Sequence, residues 1–110
     1  MTTLPRDSDN TPIPALRLNP TGAHQLNATS AASRNANAFD DDTRVISVYA
    51  TNDIYMKFGD SAVNATPSDH FFPKGLYYDF AIGGDKTLQT QYLSVLATSA
   101  DCDVYVSEKQ

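Results

Sequence analysis

The chain has no tryptophan, one cysteine and two histidines, and its eight basic residues face thirteen acidic ones. Each shortage excludes something. A lone thiol, Cys102, cannot close an intrachain disulfide, and with no activating histidine beside it the sequence reads it as an incidental small residue. His24 and His70 stand at no recognised ligand spacing from each other, from the cysteine or from an acidic pair, so neither a metal nor a cofactor is expected. Serines lack the glycine-flanked nucleophile signature, and no carboxylate pair stands out from ordinary solvated acids; no catalytic residue is assigned and the chain is expected not to be an enzyme. A net charge of −5 and a pI near 4.6 leave no basic stripe to displace phosphate counterions, which argues against direct nucleic-acid binding. No apolar run approaches a membrane span, and MTTLPRDSDN has neither the basic nor the hydrophobic part of a secretory signal. The expectation is one soluble domain of 110 residues with no membrane partner.

What is present is β-pattern. In Thr43 to Phe58, Ile46, Val48 and Ala50 recur with period two, and after Thr51-Asn52-Asp53 the alternation resumes at Ile54, Met56 and Phe58. A second copy follows near the C-terminus. ISVYAT aligns with LSVLAT at 93–98, and Ile54-Tyr55-Met56 with Val104-Tyr105-Val106. The reading is two β-hairpins facing one another across a shared core, with Ile46, Val48, Ile54 and Met56 of one set against Leu93, Val95, Val104 and Val106 of the other. Leu76 to Ile82 forms another strand, with Leu76, Tyr78, Phe80 and Ile82 inward and Tyr77, Asp79 and Ala81 outward. Pro73-Lys74-Gly75 before it is a turn in which glycine supplies positive φ. Thr87 to Gln91 adds a short strand or a bend. Six to eight short strands and no convincing long helix give an all-β fold: a small antiparallel β-sandwich or jelly-roll-like barrel with an extended N-terminal arm.

The boundaries follow composition. Residues 1–22 carry Pro5, Pro12, Pro14 and Pro20, which forbid a long helix or a central strand, yet Leu4, Ile13, Leu16 and Leu18 make the segment more apolar than a simple tail requires. It reads either as a disordered leader or as a stiff arm that docks on its own domain or on a neighbour. Residues 23–42 hold a weak edge strand from His24 to Thr29 and a linker that is a short helix or a crossing loop; Asp40, Asp41 and Asp42 lack calcium-loop spacing and read as a solvated acidic turn. Residues 43–110 are the sandwich core. Tyr49, Tyr55, Tyr77 and Tyr105 fall on faces opposite the inward residues, where tyrosine suits ordinary half-buried packing, a subunit interface or a sugar-stacking site. With Leu4, Ile13, Leu16 and Leu18 they are the candidate interface residues.

From Thr43 to Lys109 the chain resembles a group of small virion-associated proteins of tailed bacteriophages. The resemblance rests on the first hairpin followed by Phe58-Gly59-Asp60, on the Ala65-Thr66 turn, on Pro73-Lys74-Gly75, on the aromatic strand through Phe80, and on the final hairpin from Val95-Leu96-Ala97 to Val104-Tyr105-Val106 followed by Ser107-Glu108. It implies a β-sandwich that decorates or cements a capsid, contacting the major capsid protein or other virion proteins. It also implies residence in the virion, with passage through the host cytoplasm during assembly, and homo-oligomerisation, a trimer being one form open to a decoration protein. It transfers no functional residue. The alternative is a carbohydrate-binding module or a tail-associated receptor-binding component.

Overall fold

The computed structural model describes residues 8–9, 16–83 and 88–109. Eight strands follow in order: β1 Leu18–Ala28, β2 Ser33–Arg34, β3 Val45–Ala50, β4 Ile54–Gly59, β5 His70–Phe72, β6 Tyr77–Ala81, β7 Tyr92–Ala97 and β8 Cys102–Lys109. They form two four-stranded antiparallel sheets, β1-β8-β3-β6 and β2-β7-β4-β5, packed as a sandwich, with no helix among the described residues. The 30–42 stretch is a crossing loop carrying the two residues of β2. The expected alternation places the core correctly. Ile46, Val48, Ile54, Leu93, Val95 and Val104 are fully buried, and Met56 and Val106 nearly so, in one cluster closed by Leu26, Phe39, Phe72 and Ile82.

The expected hairpins do not form. β3 pairs with β8 and β6, whereas β4 lies in the opposite sheet and pairs with β7 and β5. The two copies of the repeated pattern have exchanged partners. Val48 sits opposite Val106, and Met56 opposite Val95. Period two decides which side chains face the core but not which strand lies alongside, and two consecutive strands facing each other across a core carry the same pattern as two strands side by side.

The connection makes the choice. Thr51 continues the pairing with β8, its N–H donating to the Asp103 carbonyl at 3.0 Å and its Oγ1 accepting from the Asp103 N–H at 3.0 Å. Asn52 and Asp53 then carry the chain over to the other sheet. The Asp53 N–H donates to Asn52 Oδ1 at 2.9 Å, and Asp53 Oδ1 accepts from the Lys74 N–H at 2.9 Å. Thr98 Oγ1, in the equivalent crossing from β7 to β8, donates to the Asp53 carbonyl at 3.2 Å, so the two arches are bonded to each other. Gly75 takes φ 75 as its turn requires, and its N–H donates to the Ala50 carbonyl at 3.0 Å.

β6 departs from expectation at its edge. Ile82 is buried and Phe80 partly so, against Phe58 and Phe72 at centroid distances of 5.8 Å, but Leu76 and Tyr78 are exposed. Leu76 precedes β6, and Tyr78 lies beside Phe80, with ring centroids 5.0 Å apart, on the edge strand of the sheet. β5 was not expected as a strand; its three residues pair with β4. Of the segment expected as a short strand or bend, Thr87 lies outside the described residues and 88–91 form no strand.

Replacing Val48 or Val95 by Asp buries a carboxylate with no partner and should cost roughly 3–5 kcal/mol. Urea unfolding checks this; two variants as stable as the parent would remove these residues from the core.

Candidate functional site

The exchange of partners assembles a surface that neither half of the chain could make alone. On the outer face of β1-β8-β3-β6, Tyr49 of β3 is directly opposite Tyr77 of β6 and Tyr105 of β8, and Tyr105 is opposite Gln25 of β1. Three tyrosines therefore form one cross-strand row. They are 57% (Tyr77), 36% (Tyr49) and 45% (Tyr105) exposed, so the row is an accessible apolar band with hydroxyl groups rather than half-buried packing.

The adjoining row is mostly polar and the one beyond it mostly apolar. Asp79, Ser47, Ser107 and Ala23 make the next one, then Ala81, Val45, Lys109 and Leu18. Lys109 Nζ is 2.9 Å from Asp79 Oδ1 and 5.2 Å from the Tyr77 ring centroid, so its ammonium binds a carboxylate and a π-face together. The Lys109 side chain is only 17% exposed, laid along the sheet with its head at the surface. Beneath it Ser47 Oγ donates to Asp79. That hydroxyl first, and then the Lys109 ammonium, hold the Asp79 carboxyl below its ordinary range.

The outer face of the other sheet is different. There Tyr55 is opposite Phe71, with ring centroids 6.2 Å apart, and opposite Leu96. The loop after β4 covers part of this face: Val63 and Ala65 are buried, the Ala65 N–H donates to Ser94 Oγ at 2.8 Å, and Arg34 Nη1 donates to the Val63 carbonyl at 2.9 Å. Of the four tyrosines expected at an interface, Tyr49, Tyr77 and Tyr105 come together and Tyr55 lies on the opposite side. Leu18 is exposed at the β1 edge of the tyrosine-bearing sheet and Leu16, just before it, is half-buried. Leu4 and Ile13 lie outside the described residues. Tyr78, Leu76 and Phe71 add exposed apolar surface that alternation alone assigned elsewhere or left unassigned. Phe71 lies opposite Tyr55 on the outer face of its sheet and Tyr78 lies on the edge strand β6, positions that the strand order defines.

Among the described residues an acid–base cluster joins β1, β8 and the acidic turn. Glu108 is 3% exposed; its Oε1 accepts from Thr43 Oγ1 at 2.6 Å and the Asp40 N–H at 2.7 Å, and its Oε2 is 2.7 Å from His24 Nε2. Both oxygens are committed. The result ties β8 to β1 and to the acidic turn, where Asp40 Oδ1 accepts from the Asp42 N–H at 2.9 Å and Gln89 Nε2 donates to the Thr43 carbonyl at 2.6 Å. Gly22 must be glycine here, since a Cβ on it would lie 2.6 Å from Glu108 Cβ. Among the described residues no group of His, Cys, Asp and Glu is arranged to hold a metal ion. A shallow depression of about 370 Å³ between Arg34, Asn35, Ser61 and Tyr92 brings together no acid and base. Cys102 opens β8 rather than lying in a turn; it is half-buried, and burial raises its thiol pKa, away from reactivity.

Glu108→Ala leaves the Thr43 hydroxyl and the Asp40 N–H without their acceptor and should cost roughly 3 kcal/mol in urea unfolding. Asp79 gives a pH signature. Its folded pKa is depressed, so its contribution is complete above the ordinary carboxylate range and is lost as the pH falls through the lowered value. Asp79→Asn should destabilise at neutral pH by no more than about 1 kcal/mol, because the carboxylate is solvated. That deficit should vanish in acid, and an undiminished deficit at about pH 2 would reject the pairing.

Compared with protein families, with curated proteins and with solved structures, the chain has no match in any of the three.

Proposed function

We propose that this chain is a non-enzymatic structural component of a tailed-bacteriophage virion, binding neighbouring shell proteins through its open tyrosine face and its N-terminal arm. The observation that carries the binding role is the Tyr77-Tyr49-Tyr105 row, displayed on the uncovered face of one sheet while a loop covers part of the other. Tyrosine suits a protein interface because it brings large area at low rotamer cost, and its hydroxyl keeps a partner at the wet rim. The shell setting comes from the resemblance carried by the 43–109 sequence. The partner class it implies is the major capsid protein or another virion protein, with many copies acting together so that modest single contacts add up. A carbohydrate platform is the second reading, favoured by the same aligned aromatics.

Tyr77→Ala and Tyr105→Ala should each weaken attachment by about 1–4 kcal/mol if central to the contact, lowering copy number per purified particle, while Tyr55→Ala should leave it unchanged. Quantitative mass spectrometry of particles reads this directly. Unchanged occupancy in the Tyr77 and Tyr105 variants would overturn the proposal, and retention on immobilised glycans with no particle association would favour the sugar reading.

A further inference from the structure

We infer that Tyr105 and Asp103, at the β8 end of the tyrosine row, seat an arginine side chain of a partner protein. The inference rests on the reading of this face as a protein-binding surface, and names the chemistry of the group that anchors there.

The molecule carries its own template for such a site. On β6, Tyr77 and Asp79 stand two residues apart on the outer face, and Lys109 Nζ serves both, 2.9 Å from the carboxylate and 5.2 Å from the ring centroid. Residues two apart on a strand are separated by about 7 Å, so one cation reaches both. On β8, Asp103 and Tyr105 repeat that spacing. Val104 and Val106 are buried in the core, which puts Asp103 and Tyr105 together on the outer face. Tyr105 lies in the same cross-strand row as Tyr77, and Asp103, bonded through its backbone to Thr51, flanks that row on the side away from Asp79. Among the described residues no basic group pairs with Asp103 or lies over the Tyr105 ring. The first pair has its cation from within the chain; the second has none.

The surface beside Tyr105 is concave and acidic. Asn27, Thr29, Asp101 and Asp103 border a depression of about 340 Å³. Two carboxylates in a chain of net charge −5 favour the approach of a cationic partner. No group of three His, Cys, Asp or Glu among the described residues is placed to hold a metal ion, so the depression suits an organic cation.

Arginine meets both halves of the pair. Its planar guanidinium can lay a face on Tyr105 while its edge gives two parallel N–H donors to Asp103. An ammonium is a point charge, and Lys109 accordingly contacts one oxygen of Asp79. A free small cation fits less well, because sites for such ligands enclose the cation among several rings, whereas these tyrosines lie in one open row. The cation therefore arrives on a surface that also covers Tyr49 and Tyr77. That surface is a protein with arginine in its contact patch.

The test titrates isotopically labelled full-length protein with N-acetyl-arginine methylamide, followed by NMR, with the citrulline compound as the uncharged isostere. The Tyr105 ring and Asp103 signals should move with the arginine probe at millimolar concentration and stay in place with citrulline. Asp103→Asn and Tyr105→Ala should each weaken binding about threefold, while Tyr105→Phe, which keeps the ring, should not. Lys109→Met empties the first pair, and the Tyr77 ring should then respond to the same probe. An equal response to citrulline, undiminished affinity in Asp103→Asn, or a silent Tyr77 ring in Lys109→Met would each overturn the inference. So would a Tyr105 shift produced by Arg6→Ala in the free chain, since the chain's own arm would then hold the site. The two readings fail separately. If the tyrosine variants lose particle occupancy while Asp103→Asn keeps both its occupancy and the parent's affinity for the probe, the virion role stands and the arginine site falls; if the probe binds as expected but occupancy is unmoved in the tyrosine variants, the site stands and the virion role falls.

Discussion

Everything in this fold depends on one constraint: consecutive strands of each repeated half face each other across the core instead of lying side by side. Because β3 and β4 separate into different sheets, each must find its neighbours in the other half of the chain, and β8 and β7 are the strands with matching inward residues. The core is then a contact between two equivalent pairs. Exchange of β3 with β7 and of β4 with β8 maps one central pairing onto the other, and the arches at Thr51-Asn52-Asp53 and Thr98 are hydrogen-bonded where they meet. A hairpin arrangement would have buried the same side chains but could not have placed Tyr49 between Tyr77 and Tyr105.

The faces were legible in the sequence and the neighbours were not. Ile46, Val48, Ile54, Leu93, Val95 and Val104 could be assigned to the core from alternation alone, since a one-residue slip would have turned every one of them outward. Gly75 was legible for a related reason, as a local backbone demand that one residue type meets. Partner choice is set by contacts between residues far apart in the chain, such as Met56 with Val95 and Thr51 with Asp103, and no local pattern encodes them. The tyrosine row sits on that missing information. Each tyrosine could be placed on an outer face, but that three of the four would share one sheet and one row, and that Tyr55 would not, required the pairing.

The two outer faces also differ in how their polar groups are handled. On the covered side Ser94 and Arg34 are consumed by the loop after β4. On the other side Asp79, Ser47 and Lys109 satisfy one another within the sheet. Glu108 does the equivalent on the inward side, absorbing donors from β1 and from the acidic turn. No buried side-chain polar atom among the described residues is left without a partner.

The place of β8 in the sheet has a consequence for the order in which the molecule can be made. β8 is encoded last of the strands, yet it is a central strand, and β1, encoded first, has β8 as its only sheet neighbour. During synthesis β1 must wait, unpaired, through some seventy intervening residues, a contact order that places folding among the slower β topologies. The tyrosine row is completed by the same late event, since Tyr105 arrives with β8. A ribosome that stalls before β8 therefore releases a product in which the row lacks Tyr105 and β1 lacks its partner strand.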